Sequence, residues 1–295
     1  MGNSKFKSIT IAGAPTLTMR YYKAASPQKG IIIFVHGVSH GAWCWEPFIK
    51  YLTQRGYACF ALNLRGHGDD KNVRNLKGAC LSDYTIDVIR CVNRCKSYCE
   101  ENKNEITYSK PFLIGHSMGG AIVQKYISDF SYEISGAVLL ASVTAGGMGW
   151  WGIISTSVPP SGLCTAPAIL GWKKLSALLI SHSNFFSNRL KKADARIYNE
   201  FLCKESFKAM FGLHKYNINT AIETPVLVVG SEADKYFNKK SLLKTAEKYG
   251  IQKTDENLKI VPDLCHDIMF DPHEAETQEV IEYIYNFIEK NNLSE

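Results

Sequence analysis

The run GIIIFVHG at positions 30 to 37 constrains this chain more than any other stretch. A short, almost unbroken apolar segment suits a strand covered on both faces, as in a parallel sheet flanked by helices. The theme recurs in YACFALNL (57–64), FLIGH (112–116), ISGAVLLAS (134–142), TPVLVVGSEAD (224–234) and NLKIVP (257–262). Helical periodicity fills 45–54, 82–101, 118–129, 238–248 and 274–290. Alternation of this kind predicts an α/β domain, a mostly parallel central sheet with helices on both faces. Ahead of it, ITIAG and LTMRYYKA read as an N-terminal hairpin.

One interval breaks the rhythm. From Val143 to Glu223 no buried strand stands out, and helix-like stretches such as LKKADARIYNEFLCKESFKAMF follow Gly- and Pro-punctuated apolar sequence. A structureless loop of that length does not suit a compact domain, so the interval reads as an inserted helical cap. The expected organisation is a core in two parts, 1–142 and 224–295, with the cap at 143–223. The uncharged run Ile134–Trp172 is broken by Gly146-Gly147 and Pro159-Pro160 and makes a poor membrane helix.

Composition narrows the partners. A net charge of +6 over 295 residues is modest, and Lys and Arg are scattered, so no nucleic-acid stripe is expected. Nine cysteines without a C-x-x-C pair point to thiols in a reducing compartment. Cys91, Cys95 and Cys99 recur every four residues, the spacing of a packed helix face. The N-terminus lacks a secretory pattern, and MGNSKF puts Phe6 where a myristoylation site carries Ser or Thr. A cytoplasmic protein without stable membrane insertion is expected.

In open α/β sheets, chemistry gathers at the carboxyl ends of strands. There, FLIGHSMGGAIVQKYI sets Gly115, Ser117 and Gly119 between a strand and a helix, the context of a nucleophile elbow. Serine needs a base, and the base needs a group to hold its tautomer. Asp234, after the strand ending at Gly230, is the expected acid, with Glu232 in reserve. His266 and His273 both follow the acid; His266 comes just after a strand, whereas His273 stands at a helix start. The backbone N–H groups of Val38 and Met118 are the expected oxyanion hole. His36 and His40 are expected to fix their loop by hydrogen bonding.

With those residues in place, the chain resembles the α/β-hydrolase superfamily over nearly its whole length: FVHG (34–37), LRGHGDD (64–70), GHSMGG (115–120), GSEAD (230–234) and CHDIMFDP (265–272) occur in the family's order. RGHG resembles the loop of monoacylglycerol-lipase-like esterases, and HGAWCW (40–45) is similar to the plant methyl esterase and hydroxynitrile lyase branch. The N-terminal hairpin and the RGHG loop depart from that second branch. The resemblance implies the α/β-hydrolase fold and a serine esterase acting on a small-molecule ester, with Ser117, Asp234 and His266 as catalytic residues and no metal or organic cofactor.

The cap's apolar residues (Trp150, Trp151, Ile153, Ile154, Leu170, Trp172, Leu178, Leu179, Phe185, Phe186) suit either a hydrophobic substrate or packing within the cap. Two other readings use the same residues: a ligand-binding receptor that retains the triad, and a hydroxynitrile-lyase or carbon-carbon hydrolase activity. Haloalkane dehalogenation needs a carboxylate at the elbow, where this chain has Ser117.

Overall fold

Eight of the apolar runs pair edge to edge into one sheet. The structure is a computed structural model that describes residues 5–25, 27–69, 73–150, 161–180 and 184–292. The strands are β1 (Lys7–Ile11), β2 (Leu17–Tyr22), β3 (Gly30–Val35), β4 (Tyr57–Asn63), β5 (Phe112–His116), β6 (Gly136–Leu140), β7 (Val226–Ser231) and β8 (Leu258–Val261). They lie in the order β1-β2-β4-β3-β5-β6-β7-β8. The hairpin pairs antiparallel, and β2 joins β4 antiparallel; every other pairing is parallel. The mostly parallel α/β architecture is therefore observed.

Helices cover both faces because parallel strands need crossovers. They are α1 (Glu46–Gln54), α2 (Leu81–Glu101), α3 (Met118–Phe130), α8 (Lys239–Lys248) and α9 (Glu274–Asn292), each close to its expected span. Strand β3 shows why its sequence is apolar throughout. Ile31, Ile33 and Val35 join the cluster under α2, α3 and α8, whereas Ile32 and Phe34 join the cluster under α1 and α9. Cys91, Cys95 and Cys99 lie in the first cluster, so the cysteine stripe of α2 is a packing face.

Between β6 and β7 the chain leaves the sheet. Among the described residues this excursion forms α4 (Ser161–Leu170), α5 (Lys173–Leu179), α6 (Lys192–Phe201) and α7 (Phe207–Gly212). The helix-like stretch 190–211 is thus two helices. Leu202 turns to extended backbone, the Cys203 N–H donates to Ser39 O at 2.7 Å, and the Ser206 hydroxyl caps α7 by accepting from Ala209 N. Among the described residues no helix is long and apolar enough to cross a membrane. Trp151, Ile153, Ile154 and the first four residues of the chain lie outside the described residues.

Candidate active site

Strand β5 ends at His116 and α3 begins at Met118, so Ser117 alone makes the turn, at φ 55° and ψ −120°. A non-glycine residue held at positive φ is strained, and the neighbouring contacts must enforce it. Glycines allow those contacts. A Cβ on Gly119 would stand 2.2 Å from Val35 O and 2.5 Å from His36 O, and one on Gly115 would stand 2.5 Å from Gly119 O. Gly119→Ala is therefore expected to destabilise the protein by about 3 kcal/mol, the upper end for overpacking. A fall in the urea midpoint would show this; an unchanged midpoint would mean the elbow can open.

Two other strand ends bring their side chains to Ser117. Asp234 follows β7, and His266 lies in the loop after β8. His266 Nε2 stands 2.9 Å from Ser117 Oγ and its Nδ1 2.9 Å from Asp234 Oδ2. The other carboxylate oxygen, Asp234 Oδ1, accepts from the backbone N–H groups of Tyr236 (2.7 Å) and Phe237 (3.1 Å). An ionised carboxylate only accepts, so Nδ1 carries the proton and Nε2 is left to accept from the serine. Burial pushes the His266 imidazole toward its neutral form; the charge and hydrogen bond of Asp234 outweigh it and hold the pKa above the ordinary histidine value. The ring is walled by Tyr236 and Phe237, with centroids at 4.7 and 5.6 Å.

The competing residues stand apart from this relay. Glu232 is exposed and pairs with Lys239 at 2.6 Å. His273 precedes α9, where its Nδ1 accepts from Glu276 N at 3.3 Å. The β3 loop abuts the elbow so closely that a Cβ on Gly37 would lie 2.9 Å from Ser117 Cβ. Val38 lines the same cavity as Ser117, and Met118 is the first residue of α3. His36 accepts from Leu64 N through Nε2 (3.2 Å) and so donates from Nδ1 to Gly37 O (2.8 Å), fixing the peptide that carries the Val38 N–H. His40 spans Val38 O (2.6 Å) and Asp267 Oδ2 (3.0 Å).

Asp267 is a residue that the sequence did not single out. It is fully buried between His40 and His116, and His116 Nε2 donates to His266 O at 3.0 Å, bracing the loop from beneath. Burial first, and the nearby His266 second, push His116 down to about 3, so it stays neutral. Ligand atoms of His116, His266 and Asp267 lie within 4.8 Å of one another. Both ring nitrogens of His266 are already engaged by Ser117 and Asp234, so a metal there would have to dismantle the relay.

Ser117 and His266 open onto a cavity of about 280 Å³ whose other walls include Ile169, Leu170, Phe185, Phe207, Met210, Phe211 and Leu213. Of the apolar residues noted in the sequence, Leu170 and Phe185 line it; Phe186 is buried beside Tyr198 and Phe270. Trp150, Trp172 and Leu178 are exposed. The pocket residues of α7 were missed because the stretch 190–211 reads as one amphipathic helix, which leaves no sign of which face meets Ser117.

A parallel sheet with serine at a β5–α3 elbow, and acid and histidine after later strands, is the α/β-hydrolase arrangement. A putative lipase from Acinetobacter baumannii shares the fold, with a TM-score of 0.71 at 15% identity over 99% of this chain and 94% of that one. Residues 26–273 match the family described as serine aminopeptidase, S33, and the chain belongs to that family. It is similar to the rat (Rattus norvegicus) monoglyceride lipase, 25% identical over 85% of this chain and 79% of that protein. Its similarity to protein phosphatase methylesterase 1 of Candida albicans is 23% identity over 62% of this chain. The chain spans about half the length of that methylesterase, 47%.

Proposed function

We propose that the protein is a serine hydrolase that cleaves a carboxylic ester of a small to medium hydrophobic substrate through an acyl-enzyme. The observation that carries this reading is the unbroken Ser117–His266–Asp234 hydrogen-bonded relay opening onto an apolar cavity. Similarity to proteins named methylesterase and monoglyceride lipase supports it.

In this mechanism His266 Nε2 takes the Ser117 proton as Oγ attacks the acyl carbon. The carbonyl π pair moves onto oxygen, which the Val38 and Met118 N–H groups receive. Asp234 holds the tautomer and offsets the imidazolium charge. Collapse expels the alcohol, protonated by His266; water then repeats the sequence and releases the acid. The excursion between β6 and β7 acts as a cap at 143–223, supplying most of the acyl pocket.

The lining favours an acyl group over a peptide amino terminus. An ammonium group placed between Ile169 and Phe185 would lose hydration with no carboxylate among the described lining residues to replace it. The cavity of about 280 Å³ and its apolar wall suit a short to medium acyl chain. Labelling with a fluorophosphonate, compared with Ser117→Ala, and a series of p-nitrophenyl esters test the reading. Ser117-dependent labelling and a turnover maximum at medium chain length are expected. Labelling or turnover that persists in Ser117→Ala would refute it.

A further inference from the structure

We infer that Glu205, contributed by the excursion between β6 and β7, is a positioning residue for the oxyanion loop, so that this segment sets the rate of the chemical step as well as the shape of the pocket. The inference rests on the proposed roles of Ser117 and Val38.

Glu205 is 1% exposed, and four donors converge on its carboxylate. Oε1 receives the Tyr84 hydroxyl at 2.6 Å and the Ser206 N–H at 2.7 Å. Oε2 receives His67 Nε2 at 3.0 Å and the Ser39 N–H at 3.2 Å. A buried charge needs such compensation. His67 Nδ1 donates to Arg65 O at 2.9 Å, so both ring nitrogens face acceptors and the imidazole is held in its charged form opposite the carboxylate.

Ser39 makes this more than a structural pair. It adjoins Val38 in the oxyanion loop and stands at φ 64°, a left-handed conformation that L-residues rarely adopt. Two bonds from one pentapeptide of the excursion hold it there: its N–H donates to Glu205, and its carbonyl accepts from Cys203 N at 2.7 Å. His36 and His40 fix the carbonyls of Gly37 and Val38 from the sheet side. The Val38–Ser39 peptide is thus clamped between His40 and the excursion, next to the Gly37–Val38 peptide that carries the Val38 N–H. Oxyanion donors act through preorganisation, so a relaxed Ser39 turns the Val38 N–H away from where charge develops.

Glutamine separates this role from simple packing. Its single oxygen can still serve Tyr84 and Ser206, while its amide donates to a neutral His67, whose Nε2 then accepts. Ser39 N–H is the donor left facing another donor. In Glu205→Gln, kcat for the preferred p-nitrophenyl ester is expected to fall about tenfold, below the 10²–10³ of deleting an oxyanion donor outright, with KM within twofold. A trifluoromethyl ketone, which adds Ser117 Oγ to its carbonyl and places an alkoxide in the hole, should bind about tenfold more weakly. The product acid should bind as before. An unchanged kcat, a loss confined to KM, or unchanged ketone affinity in a variant that melts cooperatively would overturn the inference. Should Glu205→Gln fail to fold, Glu205→Asp carries the same test: it keeps a carboxylate opposite His67 but, one methylene shorter, withdraws the oxygen that accepts from Ser39 N–H. Parallel losses in kcat and ketone affinity would support the role, and unchanged values would overturn it. Persistence of turnover in Ser117→Ala would instead sink the hydrolase reading itself.

Discussion

His266→Ala is expected to lower kcat by about 10⁶, whereas His273→Ala leaves it within twofold. The difference follows from the two environments. His266 is buried with one nitrogen on Ser117 and the other on Asp234, so in the proposed mechanism its loss removes the acceptor for the serine proton and the donor for the leaving alcohol together. His273 is half-exposed at the head of α9, and its ring accepts a helix N–H. Steady-state rates on one p-nitrophenyl ester, with fluorophosphonate labelling as a check on Ser117, separate the two. Full activity in His266→Ala would remove it from the mechanism.

Asp234→Asn is expected to cost about 10⁴ in kcat while leaving the fold intact. Asp234 Oδ1 accepts from Tyr236 N and Phe237 N, so the asparagine oxygen must occupy that side. Its amide NH₂ then faces His266 Nδ1, which has to accept, and the ring proton moves to Nε2 opposite Ser117. The base is present in the wrong tautomer. The pH profile supplies an independent sign. The proposed mechanism needs neutral His266, so kcat/KM is expected to rise with pH through a pKa that lies above the ordinary histidine value because of Asp234. Removing that carboxylate's charge and hydrogen bond moves the acid limb to lower pH. A limb that stays in place, or moves upward, would show that another group sets it.

Much of the fold was readable from periodicity alone, since strands buried on both faces leave little choice of residue. Strand β3 is the clearest instance, with Ile31 to Val35 alternating between one cluster and the other. The positions of Ser117, Asp234 and His266 were readable because each follows a strand end at the same edge of the sheet. Asp234 was preferred to Glu232 in the sequence, and geometry separates the two physically: two backbone N–H groups gather the first, and Lys239 draws the second into solvent. Glu205 and Asp267 were not readable. Each lies in a sequence that suits another role, a charged position in an amphipathic run and a polar residue after a histidine. Only the approach of distant segments, 138 residues from His67 and 227 from His40, gives them partners. The cavity wall was hidden for the same reason. Leu178 and Phe207 are equally apolar in the sequence, but only Phe207 reaches the cavity.

The break at Leu202–Ser206 bears on how such a chain can be altered. An excursion that supplied wall residues alone would be an interchangeable part, and a lineage could trade it for another and change diet without touching its chemistry. Here the part also carries an acid that must meet His67, Tyr84 and Ser39 in one buried place. A donor segment without that acid would arrive with three orphaned groups beneath it. Exchange is therefore constrained wherever the excursion is tied to the core, at Glu205, at Arg189 beside Asp263 and Asp271 and at Thr165 beside Tyr236, whereas variation at Leu170, Phe207 and Phe211 reshapes the cavity wall without touching those bonds.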